Sequence, residues 1–440
     1  MTMPNWDPRA LAVLERLESA GHQAVFVGGC VRDLLRGQPP HDYDAATSAL
    51  PDEILSACAS LRCIPTGLKH GTVTVLSDGL PVEVTTFRRE GQYTDHRHPD
   101  QVAFTRSLEE DLARRDFTIN AMAWGSGGLS DPFGGREDLA NETIRCVGDG
   151  NQRFREDALR ILRGLRLAAQ LDFLLEEQTA AAIRRSTPLL QYVAWERISA
   201  ELLRLLCGPG AGRGLLAFPE VIGQILPELA PTVGFRQHSP HHRFDVYTHS
   251  VKTLEGVRPE PAMRLAALLH DVGKPSCFTL DPEDIGHFYG HEEESARLAD
   301  CAARRLRLDR RTREQVFLLV RRHGLRFPLE EQNVRRWLCR LGPESFLDLL
   351  ELQRADGAAC GVDKPKQKAL HTQLEAMTQD ILTQAPCLTV KDLSIDGRDA
   401  LAAGLEGPAI GRALRTLLEQ VSQGELPNDR TVLLEQLKQN

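Results

Sequence analysis

The sequence predicts an α+β fold: a small mixed β-sheet head followed by mostly helical domains. Three observations predict it. Runs of β-branched and aromatic residues with a period of two (VFV at 25–27, TVTVL from 72 and VEVTTF from 82) fall within the first 90 of 440 residues. From about residue 150 onward the apolar residues recur at helical spacing instead. Between the first apolar run and the first helix lies Gly28-Gly29, with Asp42-Tyr43-Asp44 further on.

Composition narrows the class. Hydrophobic content of 42% and charge of 26% are those of a soluble globular protein. A net charge of −8 excludes a uniformly basic nucleic-acid binder, so any such surface is local. The ten cysteines form no CxxC pair and read as free thiols of a reducing cytosol. No apolar run of about 18 residues and no leader pattern is present, so a cytoplasmic protein without membrane contact is expected.

In chain order, DPRALAVLERLESA (7–20) carries a helical pattern that Gly21 ends. Val25, Phe26 and Val27 read as a buried strand, and a helix opens near Val31-Arg32-Asp33. Glycines at such a turn let backbone approach a phosphate, which the helix N–H groups also attract. Asp42 and Asp44, on one face of a strand, can hold Mg²⁺ against a nucleoside triphosphate. Pro51-Asp52-Glu53 starts a packing helix. Residues 72–90 read as a hairpin turning at Ser77-Asp78-Gly79, with Glu83, Thr85 and Phe87 on one face and Val82, Val84 and Thr86 on the other. Residues 88–105 read as a polar loop in which His96 and His98 are solvated.

The order strand, GG-x-VRD, helix, DxD resembles the first motif of the polymerase-beta nucleotidyltransferase superfamily. GGCVRDLLRG…HDYDAAT is similar to class II tRNA nucleotidyltransferases and the related poly(A) polymerases. The resemblance implies that Gly28, Gly29 and Arg32 contact the triphosphate and that Glu83 is a third catalytic carboxylate. RRDFTINA resembles the second motif, which implies that Arg115, Asp116 and Asn120 serve the ribose and phosphates, Arg115 taking the triphosphate. The 88–105 loop resembles a segment of full-length CCA-adding and A-adding enzymes that CC-adding enzymes lack.

Residues 154–172, FREDALRILRGLRLAAQLD, read as one helix. At about 100° per residue its Ala158, Ile161, Leu162, Leu165, Ala168 and Ala169 form an apolar face, opposite Asp157, Arg160, Arg163 and Arg166. EDALR resembles the EDxxR motif that recognises the incoming base. Cytosine and adenine both pair an exocyclic amine donor with a ring-nitrogen acceptor. An aspartate can accept from the amine while an arginine donates to the ring. Uracil and guanine invert the pattern, at about 1–3 kcal/mol per unpaired group. Asp157 and Arg160 would then select CTP and ATP, and Arg163 and Arg166 would stack or neutralise phosphate.

A second constellation follows. His249, His270-Asp271, His291, His323 and Asp356 resemble the HD phosphohydrolase superfamily. The resemblance implies metal ligation by His249, His270, Asp271 and Asp356, with His291 and His323 serving a second metal or the phosphate. It also implies a divalent metal that activates water against a phosphoester. SIDGRDALAAGLEGPAIGRALRTLL resembles the tail of bacterial class II enzymes, which holds tRNA.

The expected organisation is a nucleotidyltransferase head (1–145), a helical neck and body (146–231), an HD domain (232–365) and a helical tRNA-binding tail (366–440). The expected activity is Mg²⁺-dependent addition of CCA to tRNA from CTP and ATP. One alternative is an A-adding enzyme that works after a separate CC-adding partner. A poly(A) polymerase fits less well, since a basic C-terminal extension would be expected and the chain ends in LLEQLKQN. An HD phosphohydrolase with an RNA-binding head is a rival of another class, as is a non-catalytic RNA chaperone.

Overall fold

The structure, a computed structural model, describes residues 6–68, 71–90, 102–384 and 387–438. His96 and His98 lie outside the described residues. The chain divides into two compact units, the first ending at Pro227 and the second beginning at Glu228.

The first unit opens with α1 (Pro8–Ser19), whose N-terminus the Asp7 side chain caps. Strand β1 (Ala24–Val27) leads into α2 (Gly29–Leu35), then β2 (Tyr43–Thr47) and α3 (Pro51–Ala57). Strands β3 (Arg62–Gly67), β4 (Thr72–Ser77) and β5 (Leu80–Thr86) complete one side of the sheet. The β4–β5 turn places Asp78 and Gly79 both at positive φ, the backbone a tight hairpin requires. After β6 (Arg88–Glu90), β7 (Val102–Phe104) and α4 (Leu108–Ala113), β8 (Ala123–Gly125) and β9 (Gly128–Ser130) complete the other side.

The sheet runs β3-β4-β5-β2-β1-β8-β9. β2 and β5 are parallel, and the other neighbours are antiparallel. On one face Phe26, Tyr43, Ala45, Val73, Val82 and Val84 pack with Val13, Leu17 and Ile54. On the other Val25, Val27, Ala46, Phe87, Leu112 and Ala123 form a smaller core. Alternation assigns Asp44 and Glu83 to this second face. A one-residue slip would turn both away from it.

Two expectations need correction. The ends of the 88–105 segment are not loop, because β6 and β7 pair antiparallel from Arg88↔Phe104 to Glu90↔Val102. Phe87 sets that register: its N–H donates to the Thr47 carbonyl at 2.6 Å and its own carbonyl accepts from Thr105 N at 2.9 Å. The helix expected over 154–172 is also two helices. After α5 (Gly135–Ala140), α6 (Gly150–Glu156) ends at an extended Asp157 (φ −136°, ψ 104°), and α7 (Leu159–Leu171) begins beyond Ala158. The Asp157 carboxylate accepts the Leu159 N–H at 3.1 Å, a local bond that competes with helix continuation. The helices α8 (Glu177–Ser186), α9 (Trp195–Leu206), α10 (Ala211–Ala217) and α11 (Pro219–Ile225) close the unit.

The second unit is almost wholly helical. It runs through α12 (Val246–Glu255), α13 (Pro261–Leu269), α14 (His291–Arg305), α15 (Arg310–Arg322), α16 (Glu331–Leu341) and α17 (Pro343–Ala359). Then come α18 (Pro365–Thr383), α19 (Gly397–Ala402), α20 (Pro408–Ser422) and α21 (Arg430–Leu437). Ile395, Ala400, Leu414, Leu417 and Leu433 form a core of their own near the end. Among the described residues no helix is long and apolar enough to cross a membrane.

Candidate active site

The site begins where β1 turns into α2. Gly28 holds φ 74° and ψ −135°, which only glycine adopts without strain. A Cβ there would stand 3.2 Å from Arg115 Nη1 and 3.6 Å from Asp44 Oδ2. The bare backbone therefore faces a cation and an anion at once. Arg32, one turn into α2, donates Nη1 to Asn120 Oδ1 at 2.7 Å and Nε to Asp33 Oδ1 at 2.9 Å. Asn120 thus fixes Arg32.

Asp44 and Glu83 are register partners across the parallel β2–β5 ladder. Asp42 lies just before β2 rather than on it, exposed. Burial, then Glu83, pushes the Asp44 carboxyl above its ordinary value; Asp42 adds to this and Arg115 opposes it. A carboxylate that desolvation and like charges destabilise is relieved by a cation, and an all-oxygen donor set suits a hard divalent one. The residues present fit such an ion.

Asp116 is buried, and its Oδ2 accepts Arg163 Nε at 2.7 Å while Oδ1 accepts the Phe117 N–H at 2.9 Å. Burial raises its pKa, but Arg163 and then Arg160 outweigh that and hold the carboxyl at about 2. Asp116 therefore holds Arg163, whose side chain is 39% exposed. Arg160 is buried: Nη1 donates to Glu156 at 2.6 Å and Nη2 to the Arg114 carbonyl at 3.0 Å. Arg166 pairs with Glu201 at 2.5 Å. Each arginine of α7 is thus held by a carboxylate, Arg160 buried and Arg163 partly open to solvent. Asp157 accepts from Arg197 Nη2 at 2.9 Å.

In the second unit His249, His270, Asp271, His291, His323 and Asp356 converge. His249 Nε2 stands 3.0 Å from Asp356 Oδ1 and 3.5 Å from Asp271 Oδ2. His270 Nε2 lies 3.2 Å from Asp271 Oδ2, and His291 and His323 Nε2 lie 3.4 Å and 3.6 Å from Asp271 Oδ1. His270, His291 and His323 each set Nδ1 against a backbone carbonyl three residues earlier, at 2.8, 2.8 and 2.6 Å. With Nδ1 as donor, each Nε2 lone pair faces the cluster, which is how ligating histidines are oriented. His249 Nδ1 is buried without a hydrogen-bond partner, and Nε2 of His249 and of His270 lie close to carboxylate oxygens without hydrogen-bond alignment. Both the His249-His270-Asp271 and Asp271-His291-His323 sets have metal-ligand spacing. The residues fit one or two divalent ions with imidazole and carboxylate ligands.

Residues 24–145 match the family model for the poly A polymerase head domain. Residues 172–231 match a probable RNA and SrmB-binding site of polymerase A, and residues 299–437 a putative tRNA nucleotidyltransferase domain 2. The chain is 36% identical to a CCA-adding enzyme of Enterococcus faecalis, over 98% of this chain and 96% of the relative. The chain belongs to the CCA-adding enzyme family. Over 208 residues it is 51% identical to the CCA-adding enzyme of Bacillus cytotoxicus, covering 47% of this chain and 52% of that one. Among solved structures, the Bacillus stearothermophilus CCA-adding enzyme in complex with CTP superposes with a TM-score of 0.72 at 30% identity. That match covers 99% of this chain and 98% of the other.

Within this CCA-adding fold Gly28, Asp44, Glu83 and Arg115 come together, and Arg32 and Asn120 pair with each other. Sequence reasoning missed Asp111, which accepts from Arg115 Nη2 at 3.2 Å, and Arg197, which pairs with Asp157. It also missed Lys274, whose Nζ is 2.6 Å from Asp271, and His242, whose ring packs edge-on against His249 at 5.2 Å. The four-residue spacing of Asp111 and Arg115 was the available signal for the first pair, although Arg115 lies just beyond the end of α4. Asp157 and Arg197 are 40 residues apart, and no local pattern joins them.

Proposed function

We propose that the protein adds CCA to the 3′ end of tRNA from CTP and ATP, by attack of the terminal 3′-hydroxyl on the nucleotide α-phosphate. The observation that carries this is the meeting of Asp44 and Arg115 at the bare backbone of Gly28, with Glu83 beside Asp44 on the next strand. Asp42 and Asp44 would hold Mg²⁺, which when bound offsets phosphate charge and acidifies the attacking hydroxyl. Gly28, Gly29, Arg32 and Arg115 bind the triphosphate. Glu83, in register with Asp44, accepts the hydroxyl proton or shares the ion.

Asp157, oriented by Arg197, accepts from the exocyclic amine of cytosine or adenine, and Arg160, fixed by Glu156, donates to the ring nitrogen. Arg163 and Arg166 neutralise phosphate or stack. The template is then protein. A head to residue 145, a neck and body to 231, an HD domain to 365 and a tRNA-binding tail accompany this reading, and the cytoplasm is its compartment.

The histidine and aspartate cluster favours a second activity, hydrolysis of a phosphoester at a divalent metal held by His249, His270, Asp271 and Asp356, with His291 and His323 on a second ion or the phosphate. The imidazole nitrogens without hydrogen-bond alignment support it. Asp44→Ala separates the two: tRNA extension is lost while phosphoesterase activity persists. Loss of both would tie them to one centre and contradict this assignment.

A further inference from the structure

Asp111 lies in α4, four residues before Arg115, and its side chain is buried to within 1%. Its Oδ1 accepts the Arg88 backbone N–H at 3.2 Å and Arg114 Nε and Nη2 at 3.0 and 2.8 Å. Its Oδ2 accepts Arg115 Nη2 at 3.2 Å. One carboxylate thus joins the first residue of β6 to two consecutive arginines. Burial raises its pKa, but Arg114 and then Arg115 outweigh burial and keep it below the ordinary value, so it is an anion at neutral pH.

Arg115 has two anions within its field. Asp111 holds it from one side, and Asp44 attracts it from the other across Gly28. An ion pair with Asp44 would neutralise the carboxylate that the metal needs. Among the described residues no such pair forms: Nη2 is on Asp111, Nη1 faces Gly28, and Nε is buried with no acceptor. A guanidinium secured at one nitrogen, with donors still open beside a bare glycine, is prepared for phosphate oxygens.

We propose that Asp111 is a positioning residue of nucleotide transfer: it aims Arg115 at the triphosphate turn, keeps it off Asp44, and ties it to the base of the β6–β7 ribbon. This rests on the reading of Arg115 as a triphosphate ligand. Asp111 touches no substrate itself.

The experiment is a kinetic double-mutant cycle with Asp111→Asn, Arg115→Met and the double variant, measuring KM and kcat for CTP and ATP and, separately, KM for tRNA. Asp111→Asn raises the nucleotide KM about tenfold, leaves the tRNA KM unchanged, and adds nothing in the Arg115→Met background. Asp111→Glu keeps the charge but shifts it by one methylene, and gives the same split should the asparagine variant fail to fold. An unchanged nucleotide KM in both Asp111 variants, or an effect that adds in full to Arg115→Met, overturns the proposal alone. A nucleotide KM unchanged in Arg115→Met overturns the reading of Arg115 and the proposal with it.

Discussion

Asp44 on β2 and Glu83 on β5 face each other in parallel register, so a single strand pairing sets the separation of the two carboxylates. Asp44 is partly buried and raised in pKa, chiefly by burial and then by Glu83, while Glu83 is exposed. The pair is asymmetric, with one carboxylate partly buried and the other open to solvent. Glu83→Gln should therefore lower kcat by about 10²–10⁴-fold while the nucleotide KM changes little, as expected for a group acting on the reacting proton. Single-turnover extension of tRNA reads it. A variant with full kcat would make Glu83 a solvent-facing strand residue.

Arg197→Ala should weaken base choice. Asp157 then loses its 2.9 Å partner and its fixed orientation. Discrimination of CTP and ATP over UTP and GTP should fall about tenfold, within the cost of one lost charged hydrogen bond. Competition assays with mixed nucleotides measure it. Unchanged discrimination would show that Asp157 is oriented by other means.

Asp116→Asn should destabilise the first unit, because it leaves Arg163 without its partner. Breaking such a buried pair costs about 3–5 kcal/mol at neutral pH, and the partial exposure of Arg163 points to the lower end. The folded carboxyl, held at about 2 against an ordinary 3.8, is depressed. Its contribution is therefore full above about pH 4 and is lost as pH falls toward 2. Urea unfolding should show the gap between wild type and variant shrinking by about 2 kcal/mol across that window. A gap independent of pH would contradict the assignment.

His270→Ala or Asp356→Ala should remove a tightly held divalent metal, with loss of hydrolysis of p-nitrophenyl phosphoesters. Extension of tRNA should remain within about twofold, since neither residue belongs to the transfer site. Metal analysis of the purified variants, together with both assays, tests this. Metal content equal to wild type would remove these residues from the ligand set.

The parts of the fold that follow from alternation were legible in the sequence. TVTVL and VEVTTF predicted β4 and β5, and their period put Glu83 and Phe87 on one face, where Phe87 packs in the smaller core. The position of Asp44 beside Glu83 came from the family resemblance, because strand order is a tertiary property. The break at Asp157 was invisible to an angular pattern that runs on through it. Periodicity reported the charges of α7 but not their acceptors: Glu201 is 35 residues from Arg166 and Asp116 is 47 from Arg163. For the histidine cluster, order along the chain matched a family. Which ring nitrogens face inward was settled by backbone carbonyls that no sequence displays.

The most direct test of protein-templated CCA addition uses tRNA transcripts ending at the discriminator base, at C and at CC, each incubated with labelled CTP and ATP. The account predicts that all three grow to CCA and stop, and that Asp44→Ala extends none. Extension of the CC-ending transcript alone, by a single A, would make this an A-adding enzyme dependent on a separate CC-adding partner. Extension of none by the wild type would contradict the central claim and leave the histidine and aspartate cluster as the principal activity.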